Sequence, residues 1–114
     1  MTHLTAIVLS YNEENYIQDC LESLKFTDEQ LVFDSYSTDK TVDIATQMNA
    51  RVIQNKFENF AEQRNTALSA VIGSTDWVLF VDADERVPND LAEEIRLVIM
   101  RKNAVGYQIP RHNF

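Results

Sequence analysis

Short apolar runs alternate along this chain with segments whose apolar residues recur every three to four positions. Leu4 to Leu9 is an apolar, partly β-branched run and reads as a strand. Ile17, Cys20, Leu21 and Leu24 then fall at i, i+3, i+4 and i+7, the spacing of a helix with one buried face. Asn12 through Asn15 supply caps and early acidic groups for that helix. Leu31 to Phe33 forms a second strand ending at Asp34. Ser37, Thr38 and Asp39 then start a helix lined by Val42, Ala45 and Met48. Arg51 to Gln54 is a third strand. Ala61, Leu68, Val71 and Ile72 mark a third helix, with Gly73 placed to end it. The run from Trp77 to Val81 is a fourth strand, and Pro88-Asn89-Asp90 opens a helix with Leu91, Ile95, Val98 and Ile99 inside. Ala104 to Ile109 reads as a fifth strand.

Strands and helices that alternate with short connections imply an α/β fold: a mostly parallel sheet with helices on both faces. No linker or low-complexity segment interrupts the pattern, so residues 1–114 are expected to form one domain. Ligands of open α/β sheets bind beyond the carboxyl ends of the strands. Strand one ends in Ser10-Tyr11-Asn12-Glu13, strand two in Asp34-Ser35 and strand four in Asp82-Ala83-Asp84. Each cluster alone also fits a turn or a cap. Together they place three polar groups on one rim.

The pair Asp82 and Asp84 carries the most chemical information. Side chains two apart on an extended backbone share a side, so two carboxylates project together and repel unless a cation lies beside them. The chain has only two glycines, Gly73 and Gly106, and neither belongs to a glycine-rich phosphate loop. A phosphate-bearing ligand would therefore need a hard divalent cation, Mg²⁺ or Mn²⁺, held by one or two carboxylates and by phosphate oxygens. Arg64, beside an apolar helix position, is a candidate partner for a nucleotide's base or phosphate; its alternative is a solvated surface arginine.

Composition narrows the classes further. The net charge is -8 with no basic block, which argues against a nucleic-acid surface. No apolar run approaches the roughly 20 residues of a membrane-spanning helix, and Met-Thr-His-Leu does not read as a signal peptide. Cys20 is the single cysteine; it lies on an apolar stripe, reads as core and fits a reducing compartment. With only His3 and His112, a Cys/His zinc site is excluded.

With these residues in view, the chain resembles the family 2 glycosyltransferases of the GT-A fold, whose nucleotide-binding part is Rossmann-like. Ile7-Val8-Leu9-Ser10-Tyr11-Asn12-Glu13-Glu14 is similar to that family's first strand and Tyr-Asn-Glu turn. Asp34-Ser35-Tyr36-Ser37-Thr38-Asp39-Lys40-Thr41 is similar to its Asp-Ser-x-Ser-x-Asp-x-Thr stretch, Gln63-Arg64-Asn65 to its Arg-Asn helix, and Asp82-Ala83-Asp84 to its Asp-x-Asp motif. Asp82 to Val87 and Ile109 to Phe114 resemble a bacterial subgroup that includes sugar transferases of lipopolysaccharide-core assembly. The resemblance implies that residues 1–114 are the nucleoside-diphosphate-sugar-binding part of such a domain. Asp34 would contact the base, Ser10, Tyr11 and Asn12 would line its pocket, and Arg64 would help hold the nucleotide. Asp82 would sit near ribose and metal, and Asp84 would coordinate the metal that bridges the diphosphate. Two departures stand out: Tyr36 replaces a common glycine, and Asn59 and Ala61 replace small glycines before Gln-Arg-Asn.

The implied chemistry is sugar transfer with inversion from a nucleoside-diphosphate sugar, a UDP-sugar by family resemblance, to a glycan or lipid-linked acceptor. An acceptor hydroxyl deprotonated by a general base displaces the diphosphate in line, while the metal neutralises the leaving charge. No catalytic base is assigned, because in relatives it lies well downstream of Asp-x-Asp; Glu85 reads as a turn residue and Glu94 as a solvated one. The expectation is that this chain binds donor nucleotide and transfers sugar poorly by itself. The implied location is cytoplasmic, or peripheral at the inner face of the membrane, and an open sheet end suggests self-association. One alternative is a non-catalytic nucleotide-binding part or partner subunit. Another is a haloacid-dehalogenase-type phosphatase, in which the Asp-x-Asp pair follows the opening strand.

Overall fold

A computed structural model of the protein describes residues 3–101. The expected strand at Ala104 to Ile109 lies outside them. The chain runs β1 (Leu4–Ser10), α1 (Ile17–Ser23), β2 (Glu29–Asp34), α2 (Thr41–Gln47), β3 (Arg51–Gln54), α3 (Phe60–Ser69), β4 (Trp77–Asp82) and α4 (Asn89–Arg101). The strands pair in parallel in the order β3-β2-β1-β4. This is the α/β architecture read from the alternation of elements.

Strand order dictates which face each helix covers. The connections β1–β2 and β2–β3 step one way across the sheet, and right-handed crossovers put α1 and α2 on the same face. The step from β3 to β4 runs back past β1, so α3 falls on the other face. Side-chain alternation along the strands matches this split. Leu4, Ala6 and Val8 of β1 and Trp77, Leu79 and Val81 of β4 pack with Ile17, Cys20 and Leu21 of α1, Ala45 of α2 and Ile95 and Ile99 of α4. Ile7, Leu31, Phe33 and Val78 point the opposite way, onto Ala67 and Val71.

Four local readings change. Asn12 to Asn15 do not cap α1: its N-cap is Tyr16, without a side-chain hydrogen bond, and Asn12 spends its carboxamide on another loop. Helix α2 begins after Lys40 rather than at Ser37, and Asp39 Oδ1 accepts from Thr41 N just ahead of its first turn. The inner face of α3 is Gln63 and Ala67, not Ala61, Leu68 and Ile72; all three are exposed, Ile72 at 72%. Gly73 does not cap α3, which ends at Ser69; it takes φ +88° in the turn that leads towards β4. At the end of α2, Asn49 adopts φ +65° while Asn49 N and Ala50 N donate to Thr46 O and Ala45 O, a Schellman closure with asparagine in place of glycine.

One polar atom is stranded in the core. Thr5 Oγ1 is fully buried and has no hydrogen-bond partner among the described residues. Burying a hydroxyl unpaired costs about 1–3 kcal/mol. Thr5→Val, which keeps the shape and removes the hydroxyl, is expected to leave stability unchanged or raise it by about 1 kcal/mol in urea unfolding. A loss of that size would mean that the hydroxyl has a partner.

Candidate functional site

The direction of chain travel reverses at β1: β2 and β3 lie on one side of it and β4 on the other. In open α/β sheets such a switch point marks a crevice beyond the carboxyl ends of the strands. A cavity of about 500 Å³ opens there, within the roughly 300–1,000 Å³ of small-molecule sites. Ser10, Tyr11 and Glu13 reach it from β1, Ser35 from β2, and Asp82, Ala83 and Asp84 from β4. Phe57, Phe60 and Gln63 close it from the start of α3. A second cavity of about 550 Å³ beside α4 gathers none of the expected residues.

The acidic end is built by a tight turn. Ala83 N donates to Leu9 O, Glu85 N to Asp82 O, and Asp82 N to Glu85 Oε1. Glu85 is thus a turn residue, as its position after the strand suggested. Ala83 points inward and is 1% exposed, while Asp82 and Asp84 flank it and line the cavity. Cys20 sits beneath, its Sγ 3.7 Å from Asp82 O. Burial, followed by the carboxylates of Glu85, Asp84 and Asp82, pushes its thiol up to about 12, so it stays protonated and inert. Glu13 faces the same turn. Its pKa is raised by burial first and then by Asp84, Asp39 and Asp82.

Among the described residues no Lys, Arg or His lines the cavity. An anion entering it meets three carboxyl groups, and Glu13 already registers their repulsion. Hard oxygen donors of this kind fit Mg²⁺ or Mn²⁺. Among the described residues no three His, Cys, Asp or Glu side chains gather closely enough to hold a metal by themselves. The donor set therefore suits an ion that completes its shell with ligand phosphates and water.

The loops after β1 and β2 are knitted together. Asn12 N donates to Ser37 Oγ (2.8 Å) and Thr38 N to Asn12 Oδ1 (2.8 Å). Glu13 N donates to Thr41 Oγ1 (2.9 Å), Glu14 N to Asp39 Oδ2 (3.2 Å), and Lys40 N to Glu14 Oε2 (3.4 Å). Asn12 (φ +51°) and Tyr36 (φ +59°) adopt left-handed backbone to make the fit, at roughly 1 kcal/mol each or more. Tyr36 is 55% exposed and does not line the cavity.

Asp34 is wholly buried. Oδ1 accepts from Ser10 Oγ and Ser37 Oγ, and Oδ2 from Ser37 N and Gln54 Nε2. Those four bonds fill the acceptor positions of the group. Arg64, half-buried, holds its Cζ 5.3 Å from the centre of the Phe80 ring, a cation–π contact. Of the residues named from sequence, Ser10, Tyr11, Asp82 and Asp84 line the cavity, whereas Asn12, Asp34 and Arg64 do not. Gln63, Phe57 and Phe60 were missed. The signal for the phenylalanines was their i, i+3 spacing across the start of a helix whose cap is Asn59, which accepts from Glu62 N.

Comparison with known proteins settles the class. Residues 5–114 match the pattern of glycosyl transferase family 2. The chain belongs to that family. It is 35% identical over 113 residues to an uncharacterised glycosyltransferase of Rickettsia felis, covering 96% of this chain and 39% of that protein. The SunS glycosyltransferase of Bacillus subtilis is 36% identical over 84 residues, 71% of this chain and 20% of its own. Among solved structures, Staphylococcus aureus TarS in complex with UDP superposes with a TM-score of 0.68 at 28% identity, covering 88% of this chain and 32% of that one. Glucosyl-3-phosphoglycerate synthase of Mycobacterium tuberculosis, with Mn²⁺, UDP and glucosyl-3-phosphoglycerate, gives 0.64 at 26% identity, with 75% and 36% covered. The chain thus spans about two fifths of the length of the first of these relatives. The phosphatase alternative is set aside by the family match.

The knitted loops carry a pH prediction. Burial pushes Asp39 up, but hydrogen bonds from the Thr41 hydroxyl, from Thr41 N and from Glu14 N outweigh it, and the pKa falls below its ordinary 3.8. The ionised form is favoured in the fold, so its contribution is complete above that value and is lost as pH falls through the lower, folded one. Thr41→Val should cost about 1–2 kcal/mol at pH 7, and Asp39→Asn should flatten the acid limb of the stability profile, read by urea melts from pH 7 to 3.

Proposed function

We propose that this chain is the donor-binding part of a sugar transferase that uses a nucleoside-diphosphate sugar with a divalent cation. The observation that carries the reading is the cavity at the switch point. It sets paired carboxylates at one end and aromatic and neutral polar groups at the other, and among the described residues no basic side chain lines it. A diphosphate enters such a site only with its charge compensated. The UDP complex of TarS and the Mn²⁺–UDP complex of the mycobacterial synthase support the choice of UDP and of Mn²⁺ or Mg²⁺.

In this reading Asp84, the more exposed of the pair, holds the ion, with Asp82 beside it and close to the ribose. When bound, the ion neutralises charge on the departing diphosphate. Tyr11 and Ser10 line the nucleotide's berth, and Asn12 acts by holding the loop that carries them. Arg64, over Phe80, supports the nucleotide's wall of the cavity. Transfer proceeds with inversion to a glycan or lipid-linked acceptor, of the kind used in cell-envelope polysaccharide assembly. The protein works in the cytoplasm, at the inner face of the membrane; among the described residues no helix is long and apolar enough to cross one. Residues 1–114 form one nucleotide-binding unit, and no described acid is assigned as the base that activates the acceptor.

Asp84→Ala tests the reading. It should abolish the Mn²⁺-dependent part of UDP affinity, a loss of about tenfold or more, while the melting temperature without ligand is no lower than in the parent. Titration calorimetry with UDP, with and without Mn²⁺, measures the first, and a thermal melt the second. Equal metal-dependent affinity in parent and variant would refute the assignment.

A further inference from the structure

The buried state of Asp34 raises the question of which groups meet the base. The candidate lies next in sequence. Ser35 lines the cavity, and its Oγ is 3.1 Å from Gln63 Nε2, which comes from α3 on the opposite wall. Ser35 N donates to Ser10 O, which fixes the serine against β1. Gln63 is only 9% exposed, yet it too lines the cavity. A hydroxyl that accepts from a carboxamide keeps its own hydrogen to donate, and the carboxamide keeps its oxygen to accept. If the amide is turned over, donor and acceptor simply exchange places. The pair therefore always offers a ligand one donor and one acceptor.

Its surroundings suit a flat ring. Phe57 and Phe60 stand edge-to-face, ring centres 5.1 Å apart, at 42% and 72% exposure. Tyr11 is 57% exposed and lines the same cavity. Large exposed aromatics around one hollow offer apolar walls on which a flat ring can stack. Distance fits as well. One strand, β1, separates β2 from β4. At about 4.8 Å per strand, Ser35 and Asp82 stand on strand ends roughly 10 Å apart, about the reach from the base of a nucleotide to its diphosphate.

We propose that the Ser35–Gln63 pair makes the polar contact with the base, and that Asp34 is a positioning residue. Asp34 closes the turn through Ser37 N and Ser37 Oγ and so presents Ser35. The inference rests on the donor reading above. It carries a consequence for selectivity. A carboxylate only accepts and demands an N–H on the base, as the imide of uracil supplies. A neutral pair that can exchange donor and acceptor also meets the N/NH₂ edge of cytosine. UDP and CDP should therefore bind within about tenfold of each other.

Titration calorimetry of the full chain in Mn²⁺, with UDP, CDP and inorganic pyrophosphate, tests this. Ser35→Ala and Gln63→Leu should each weaken both nucleotides about tenfold and leave pyrophosphate affinity unchanged, a split that a merely structural role would not produce. Ser35→Ala removes a single oxygen and decides the matter if Gln63→Leu melts early. Nucleotide affinities like the parent's in both variants, or an equal loss for pyrophosphate, would overturn the proposal and leave the donor reading standing. So would a parent that binds UDP no better than pyrophosphate. A parent that binds neither UDP nor pyrophosphate with Mn²⁺ overturns the donor reading and this proposal together.

Discussion

Four hydrogen bonds converge on the buried carboxyl group of Asp34, and the ligand-facing rim of the sheet is organised around it. Its donors come from the end of β1 (Ser10), from the turn after β2 (Ser37 twice) and from the end of β3 (Gln54). A buried acceptor left without partners costs more than a made bond returns. All three segments are therefore held in one mutual arrangement, because moving any of them strands part of the carboxyl group. Around this node Asn12, Glu14, Asp39 and Thr41 tie the first two loops a second time. The rim is pre-organised before any ligand arrives.

That rigidity matters because the site works against its own charge. Glu13, Asp82 and Asp84 share one cavity, and burial first, then Asp84, Asp39 and Asp82, raise the pKa of Glu13. Side chains free to move would relax away from one another. Here Ala83 is packed in the core, and Glu85 holds the backbone of Asp82, so the turn keeps both aspartates on the cavity. In the proposed function, a cation entering with a phosphate-bearing ligand would offset that repulsion.

Strand positions were legible because each is a compact apolar run ending in a polar cluster, as Trp77 to Asp82 illustrates. Helix faces were harder. In and just after α3 the larger apolar residues Leu68 and Ile72 are exposed, and the buried residues of the helix are Gln63 and Ala67. Periodicity weighs hydrophobic size, but close approach to the sheet selects a small residue and an amide that finds a partner in Ser35. The same kind of error arose at the rim. Asp34 and Asn12 are the polar residue types expected of ligand contacts, yet both are taken up in joining loops far apart in sequence. Nothing in the local pattern distinguishes a carboxyl group that faces a ligand from one that faces three neighbouring segments.

Local sequence was enough for whatever depends on neighbours along the chain: the alternation of elements, the parallel sheet, the burial of Cys20 and the pairing of Asp82 with Asp84. Each follows from spacing on a strand or helix, and spacing is set by backbone geometry. Partnership across the sheet was not available in this way. That Ser10 and Gln54 join Ser37 on Asp34, that Ser35 and Gln63 meet across the cavity, and that Glu13 faces the acidic turn all depend on the strand order β3-β2-β1-β4. Hydrogen bonds and charge repulsion act over a few ångströms in space, and only the folded chain brings residues 20 or more positions apart within that range.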